Sequence, residues 1–394
     1  MNGLRLGLLR ARRPGLYDRF LFPGMIHRRS ANSAVCKGLK PIALDGEVGF
    51  FSRADTLIMM RLSDLHPLDS IKIPLSKLST HLSRSRLLTR MLRLGVQVGA
   101  VWRDTLIVAA EGRLISVQKS VDSLTGVRHE ADISRGRSPL HFGVVNGIDG
   151  FDDGVYYGEY FSNSDFGPVA IMRRGEDGQW TRAYEFPVGE INHVHNIVPD
   201  PLRDCVWILT GDFGQGAAIW QARDNFASMV PVVRGAQQVR ACVAFPVRQG
   251  LLYATDSQLY ENSIRVLERD GSGWTHRQLH PLNGPSIHGT TIGELCVFST
   301  ATEPDHSSVE SSRLIGLMDR RPGPGIIRNE SHIIVGSIER GFSTKIKRVK
   351  DPLPYRLFQF GNILFPSGSA AGNSLFLYSI ANRGVSMSTE ILNL

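Results

Sequence analysis

Short apolar runs alternate with polar turns along most of the chain. Runs such as CVWILTGD (205–212) and LLYATDS (251–257) are rich in β-branched and aromatic residues, which favour strands. Glycine, proline, aspartate and asparagine cluster between the runs, and these residues mark turns. No run approaches the roughly 18 apolar residues of a membrane-spanning helix. The pattern predicts an all-β protein.

A repeat of 46 and then 48 residues is visible in the spacing of Trp180, Phe226 and Trp274. The segments RRGEDGQWTR (173–182) and LERDGSGWTH (267–276) both carry an Asp-Gly turn followed by tryptophan and threonine. A period in the forties with such hairpin turns is typical of a propeller blade of four strands. We therefore predict a β-propeller of about seven blades, each with four antiparallel strands.

The repeat also assigns strands within the blades. The predicted first strands are 141–147, 193–198, 238–245 and 286–292. The predicted second strands are 154–163, 205–212, 251–257 and 294–302. Weaker blades are predicted within 48–65, 96–120 and 355–392. We expect strands from the two ends of the ring to pair, because open sheet edges invite aggregation, and the turn aromatics to pack between blades.

These assignments give one propeller domain over residues 41–394, preceded by a flexible basic tail over 1–40. Two segments interrupt the blades. Residues 76–94 place four apolar side chains on one helical stripe and arginines on the other face, which predicts one inserted amphipathic helix. The apolar stripe consists of Leu78, Leu82, Leu88 and Met91. Residues 303–330 are rich in serine, proline, glycine and arginine and are predicted to form a long loop.

The positive charge of the chain is concentrated at its start. The formal net charge is +8, and residues 1–40 alone hold nine Lys/Arg and one acid. The predicted domain is therefore neutral, which argues against nucleic acid as a partner. The start of the chain is interpreted as a plain tail, with a targeting segment or a membrane contact as alternatives. Four widely spaced cysteines show no disulfide or zinc pattern, and we expect a cytoplasmic location.

Polar residues recur at matching positions of the predicted blades. First strands line a propeller channel, and side chains alternate along a strand, so His193 and His195 share a face. The candidate substrate-binding residues are His141, Asp212, Gln238, Asp256, Asn262 and His288. The candidate catalytic residues are His195, Tyr157, Glu159 and Arg240. His195 or Tyr157 would act as a base, and Arg240 would bind a substrate carboxylate. Any two of Glu159, Asp212 and Asp256 would form the carboxylate pair of a glycoside hydrolase.

His193 and His195 also suit a divalent metal ion, provided that a further ligand completes the site. Candidates for that ligand are Glu190, Glu159, Asp212 and His141. In the alternative interpretation, the imidazoles line a polar channel and contact a ligand or a neighbouring blade. The sequence leaves the cofactor unknown, with one divalent ion as the specific candidate.

The hairpins EDGQW and RDGSGW resemble degenerate Asp-box repeats of the sialidase-like β-propeller superfamily. Residues 154–262 are similar to bacterial propeller proteins linked to polysaccharide metabolism. A sialidase needs three arginines for its substrate carboxylate, and only Arg240 has a suitable channel position, so sialidase activity is not expected. The histidine pair is also similar to the metal-binding pair of propeller oligogalacturonate lyases. A glutamine precedes the pair in those lyases, and Glu190 stands in its place here.

We therefore expect a propeller that acts on, or binds, an acidic or exported polysaccharide at its channel mouth. Lyase or glycoside hydrolase chemistry is expected if the chain is catalytic. The alternative is a non-catalytic interaction scaffold. In that case the basic helix at 76–94 would bind an anionic membrane surface or an acidic protein.

Overall fold

Seven β-sheets form a closed propeller in the computed structural model, which describes residues 26–30, 33–271, 273–304 and 317–393. Each blade contains four antiparallel strands, and two blades carry a fifth strand. The prediction of an all-β, seven-bladed propeller is confirmed. None of the helices in these residues is long and apolar enough to span a membrane.

The first two strands of the described residues belong to the last blade, and the other strands follow in chain order. Those two strands are β1 (Ile26–Ser30) and β2 (Ser33–Lys37). Blade 1 contains β3 (Lys40–Gly46), β4 (Val48–Arg53), β5 (Thr56–Arg61) and β6 (His66–Lys72). Blade 2 contains β7 (Val96–Trp102), β8 (Thr105–Ala110), β9 (Arg113–Lys119) and β10 (Leu124–Asp132). Blade 3 contains β11 (Gly143–Val145), β12 (Gly154–Gly158), β13 (Val169–Arg174) and β14 (Trp180–Phe186).

The remaining blades hold the strands that surround the candidate site and close the ring. Blade 4 contains β15 (Val194–Asp200), β16 (Cys205–Thr210), β17 (Ala218–Arg223) and β18 (Ser228–Arg234). Blade 5 contains β19 (Ala241–Val247), β20 (Gly250–Thr255), β21 (Asn262–Asp270) and β22 (Gly273–Leu282). Blade 6 contains β23 (His288–Ile292), β24 (Leu295–Ser299), β25 (Glu330–Ser337) and β26 (Gly341–Val349). Blade 7 combines β1 and β2 with β27 (Asn362–Leu364), β29 (Ser374–Ile380) and β30 (Ser388–Asn393).

The first strand of each blade is the innermost one, and the second strand is covered on both faces by the neighbouring blades. Every residue of β8, β16 and β20 is buried. The turn aromatics fill the spaces between blades, as predicted. Trp274 packs edge-on against Trp207 of blade 4 with ring centroids 5.4 Å apart, and Phe226 packs against Tyr156 of blade 3. The indole N–H of Trp180 donates to Glu130 of blade 2 at 2.9 Å.

The ring closes by pairing the two ends of the described chain, as predicted. β2 pairs antiparallel with β30 from Ser33 opposite Leu392 to Lys37 opposite Ser388. Cys36 of β2 is fully buried in the apolar core between blades 7 and 1. The predicted domain boundary at residue 40 is therefore wrong for residues 33–40, because the last blade needs β2 to complete its sheet. Residues 1–25 of the predicted tail lie outside the described residues.

A short strand narrows the channel at the end opposite the candidate site. β28 (Ser367–Ala370) leaves blade 7 and pairs in parallel with the end of β3. It also contacts the inner strands β7 and β23. The hydroxyl of Ser367 donates to the Gly99 carbonyl of β7 at 2.7 Å.

The inserted segment between β6 and β7 is helical but divided. It contains α1 (Lys77–Leu82) and α2 (Arg86–Leu92), each capped by the hydroxyl of a preceding serine, Ser76 or Ser85. The predicted inserted helical segment is confirmed, and it consists of two short helices because α1 ends with its C-cap at Ser83 and Ser85 caps the start of α2. The predicted apolar stripe is broken as a result, and Leu78 is 68% exposed. A third short helix, α3 (Tyr355–Phe358), packs against α2.

The predicted loop at 303–330 joins β24 to β25, and Pro304 and Pro322 form an isolated bridge within it. Residues 305–316 of this loop lie outside the described residues. The backbone N–H of Gly323 donates to the carbonyl of Glu303 at 2.8 Å. The two described ends of the loop therefore meet beside the candidate site.

Asp200 should be a major contributor to the stability of blade 4. Its carboxylate is fully buried and accepts hydrogen bonds at 2.8 Å from both the Trp207 indole and the Arg203 guanidinium. We expect Asp200→Ala to lower the free energy of unfolding by about 3 kcal/mol, because it leaves buried donors without a partner. Urea denaturation measures this effect. Glu294→Ala, which removes a 91% exposed carboxylate, is the control and should cost about 0.5 kcal/mol or less.

Candidate functional site

One mouth of the propeller channel collects polar side chains from several blades. These residues either begin an inner strand or follow a second strand. The starts of the inner strands and the ends of the second strands lie at the same face of the propeller. A cavity of about 470 Å³ opens there. The polar residues that line it include Lys40, His141, Tyr160, Arg240, Asp256, His288 and Glu303.

His193 and His195 lie beside this cavity with their rings facing one another. The Nδ1 atom of His193 is 3.2 Å from the Phe161 carbonyl, and that of His195 is 2.9 Å from the Ala241 carbonyl. Carbonyl oxygens only accept hydrogen bonds, so each Nδ1 carries its ring proton. In the neutral rings, both Nε2 atoms then present lone pairs, and these atoms are only 3.0 Å apart. A proton or a cation between them would relieve the repulsion.

The carboxylate of Asp212 completes this arrangement. Its two oxygens lie 3.5 Å from the Nε2 atoms of His193 and His195, one oxygen facing each ring. Burial disfavours the charged carboxylate, but the contacts with His193 and His195 and the charge of Arg240 outweigh burial and hold the pKa of Asp212 well below its usual range. Asp212 is therefore ionised at neutral pH, and its negative charge faces the Nε2 lone pairs of His193 and His195.

Arg240 joins this group to the cavity. Its Nη2 lies 3.0 Å from Asp212 and 3.5 Å from Asp256, and its Nη1 donates to Gln258 at 2.9 Å. The Phe213 ring covers the guanidinium at 5.4 Å. Burial opposes the charged form, but the two carboxylates outweigh it and raise the pKa of Arg240. Arg240 is thus a fixed cation that is only 6% exposed.

Three ligand atoms also converge at a second place, formed by His195, Cys242 and Asp256. The thiol of Cys242 donates to Asp256 at 3.1 Å. Burial, reinforced by the Asp256 charge, raises the pKa of Cys242 well above its usual range. A thiol must lose its proton to bind a metal. His193, His195 and Asp212 therefore form the better candidate for a metal site.

His141 and His288 form the opposite wall of the cavity. Their rings meet edge-on with centroids 5.4 Å apart, and His141 Nε2 lies 3.3 Å from the Ile287 carbonyl. Burial lowers the pKa of His141 to about 4 and that of His288 well below its usual range. Both rings are therefore neutral at pH 7 and offer hydrogen bonds without charge.

Glu303 is the carboxyl group of the cavity that is easiest to protonate. It follows β24, and no Lys, Arg or His lies within ion-pair distance of its carboxylate among the described residues. Burial and the negative charge of Asp256 raise the pKa of Glu303 to about 8, although Arg240 opposes them. A carboxyl group that titrates in this range suits proton transfer.

The structure brings together most, but not all, of the predicted site residues. His193, His195, Asp212, Arg240 and Asp256 are in contact, and His141 and His288 line the same cavity. Four predicted residues lie elsewhere: Tyr157, Glu159, Gln238 and Asn262.

Tyr157 was predicted to be a base but lies in the apolar core of blades 2 and 3, against Phe142 and Trp180. The prediction fails because β12 is a second strand with both faces covered. Glu159 accepts hydrogen bonds from the Ser134 hydroxyl at 2.8 Å and the Ala170 N–H at 2.9 Å, so its carboxylate is engaged away from Asp212.

Gln238 and Asn262 are not cavity residues. The carbonyl of Gln238 accepts from the Tyr253 hydroxyl at 2.9 Å, and its side chain is exposed. The side chain of Asn262 accepts from the Ser257 N–H at 2.8 Å and holds the turn after β20. Among the proposed further ligands, Glu190 pairs with Arg234 at 2.9 Å, which leaves Asp212 as the ligand beside the histidines.

The arginines of the inserted helices are partly structural. Arg90 is 4% exposed and binds Asp351 and the Phe358 carbonyl. Arg86 donates to the Ser386 carbonyl. Arg90 is thus unavailable to the acidic partner or membrane surface that the scaffold alternative places there, because it already neutralises a carboxylate of the propeller.

Four residues of the site were not predicted from the sequence: Glu303, Cys242, Tyr160 and Gln258. Glu303 had a detectable signal, because it directly follows the predicted second strand 294–302, and Asp256 lies at the end of the predicted second strand 251–257. Tyr160 lies over the histidine pair, with its ring centroid 4.5 Å from that of His193.

No family model matches the chain, and no curated protein matches it. Solved structures with a similar fold do exist. The β-propeller domain of Cps50 (Swd1) from Myceliophteria thermophila has a TM-score of 0.51 at 9% identity and covers 94% of this chain and 98% of its own. An oligogalacturonate lyase in complex with manganese has a TM-score of 0.50 at 11% identity, with coverage of 94% and 95%.

The WD40 repeats of RRP9 give a TM-score of 0.49 at 11% identity, with coverage of 94% and 99%. At such low identity, the Cps50 domain and the lyase establish the architecture and leave the reaction open. The chain is a seven-bladed β-propeller, and the sialidase-like assignment has no support among these comparisons.

Proposed function

We propose that the chain binds one divalent metal ion between His193, His195 and Asp212 and cleaves an acidic polysaccharide by β-elimination. The observation that carries the proposal is the 3.0 Å separation of two Nε2 atoms whose Nδ1 atoms both face carbonyls. Ligand atoms about 2.1 Å from a common metal ion and at roughly right angles lie about 3 Å apart. The Asp212 oxygens, at 3.5 Å, fit the same sphere.

The metal-binding residues also have the supporting contacts that such sites require. A ligating histidine usually donates its second ring N–H to a carbonyl or carboxylate, which fixes the ring and the tautomer. His193 and His195 both do so through Phe161 and Ala241. Arg240 anchors one oxygen of Asp212. The side chains are therefore held in place before a metal ion arrives.

The reaction class follows from the charges around the cavity. In β-elimination, a base removes the proton beside a uronate carboxylate, the C–O bond at the next carbon breaks, and a carbon–carbon double bond forms. A bound divalent ion would supply positive charge to the uronate carboxylate. Arg240 adds a fixed cation at the same end of the cavity. Glu303 accepts the proton in its carboxylate form, and the departing oxygen takes a proton from the site or from water.

Glycoside hydrolysis is supported less well by the same residues. It needs one carboxylic acid that is protonated and a second carboxylate opposite it. Asp212 is held ionised by the histidines and Arg240, and Glu159 is bonded to Ser134 and Ala170. Neither can donate the proton that hydrolysis requires, so a hydrolase would need Glu303 as its acid, and the products of the assay below distinguish the two reactions.

The test is an activity assay on uronate polymers with and without metal. Polygalacturonate and alginate are incubated with the protein after chelation, and again after addition of Mn²⁺. We expect unsaturated uronate products, detected by ultraviolet absorbance, only with the metal ion. His195→Ala should remove the activity. New reducing ends without unsaturation would indicate a hydrolase, and no product from either polymer or full activity in the chelated protein would contradict the proposal.

A further inference from the structure

A second, smaller cleft lies beside the cavity and carries an unusual charge. It has a volume of about 180 Å³ and runs between the inserted helices and blades 1 and 7. The cationic residues that line it are Lys37, Lys40, Arg53, Arg84, Arg86 and Arg93. No aspartate or glutamate lines it among the described residues. Such a concentration of one sign favours an anionic ligand.

The cleft and the cavity are adjacent and share lining residues. Lys40, Arg93, Gln97 and Gln359 line both of them. The inserted segment connects β6 to β7. Arg93 directly follows α2 and lies where the cleft meets the cavity. A chain-like ligand can therefore extend from one into the other.

Five of the six cations of the cleft are not neutralised by a carboxylate of the described residues. Lys40 donates to two backbone carbonyls, those of Val96 at 2.9 Å and Gln97 at 2.6 Å. Arg86 donates to the Ser386 carbonyl. Lys37, Arg84 and Arg93 are exposed. None of these five has a carboxylate within ion-pair distance in the described part of the chain, unlike Arg90, which pairs with Asp351.

We infer that this cleft is an extended subsite that binds the anionic groups of a polysaccharide whose reacting sugar lies in the cavity. The inference rests on the proposed function for the identity of the ligand, whereas the charge of the cleft stands on its own. A polyanion with carboxylates at regular intervals can occupy both places at once. Two linked contacts of this kind raise affinity for long chains over short ones.

The test is the affinity of fluorescently labelled decagalacturonate for the metal-free protein, measured by anisotropy. We expect Arg84→Glu combined with Arg93→Glu to weaken binding at least about tenfold, and added salt to weaken binding to the wild type. Lys345→Glu combined with Lys347→Glu is the matched control. It changes the net charge equally at exposed positions of β26 and should leave affinity within about twofold.

Equal weakening by both double variants would overturn the inference, because it would show a general effect of net charge. Unchanged affinity in the Arg84/Arg93 variant would also overturn it. Phosphatidylserine vesicles are the second probe. Loss of vesicle binding with intact decagalacturonate binding would assign the cleft to lipid and reject a saccharide subsite. Binding is measured without metal and without turnover. A lyase assay that fails would therefore reject the proposed reaction and would not change the outcome of this binding test.

Discussion

Replacing His195 with alanine should weaken the binding of a divalent cation by about a hundredfold or more. The variant removes one of two Nε2 atoms that lie 3.0 Å apart, and the remaining histidine and carboxylate cannot enclose an ion. Changes to groups that only support a metal ligand already cost about 10- to 100-fold in affinity. Calorimetric titration of chelator-treated protein with Mn²⁺ and with Zn²⁺ measures the effect, and elemental analysis gives the stoichiometry.

His141→Ala is the matched control for this prediction. His141 is another neutral histidine at the channel mouth, but its Nε2 faces the Ile287 carbonyl and not Asp212. We expect its metal affinity to stay within about threefold of the wild type. A thermal shift gives a second readout, since a cation at about 100 times its Kd stabilises the fold by about 2.7 kcal/mol. A chain that binds no cation, or a His195→Ala variant that binds as well as the wild type, would reject the metal site.

Asp212→Asn separates the role of charge from that of shape. The amide keeps one oxygen near the histidines but removes the negative charge that Arg240 and the imidazoles share. We expect the metal affinity to fall by about tenfold, less than in His195→Ala. If Asp212→Asn bound the cation as tightly as the wild type, Asp212 would be a partner of Arg240 alone.

The propeller itself was readable from the sequence because its repeat is strong. Trp180, Phe226 and Trp274 recur at nearly equal intervals, and each fills the same kind of space between blades. Ring closure followed from the need to cover sheet edges. The break between α1 and α2 was less visible, because Ser85 can cap a helix or continue one, and tertiary packing decides between the two.

The candidate site was readable in part for a different reason. The two-residue period shows which side chains share a face, and this placed His193 beside His195. It does not show what covers that face. Tyr157 shares a face with Glu159, but that face of β12 packs against Phe142 and Trp180 and not against the channel. The contact of Arg240 with Asp212 joins blades 5 and 4, and the positions of these side chains depend on the folded ring.

Replacing Glu303 with glutamine should lower the turnover of a uronate polymer by about 100-fold to 10,000-fold, the range that a positioned general base contributes. Glutamine has nearly the same shape but accepts no proton. In the wild type we expect the rate to rise with pH as Glu303 ionises. Its pKa is about 8 in the metal-free protein, and a bound cation would lower it, so the midpoint should lie at or below pH 8.

The rising limb of the pH profile makes this prediction specific to the base. Below the pKa, Glu303 is a protonated acid that cannot remove a proton, so activity falls on acidification. Glu303→Gln should keep the metal affinity and lose both the rate and this limb, whereas Glu294→Gln at an exposed site should retain both. A Glu303→Gln variant that keeps the wild-type pH profile would show that another group removes the proton. The histidine pair and Arg240 would then be the only parts of the proposed site left to explain the reaction.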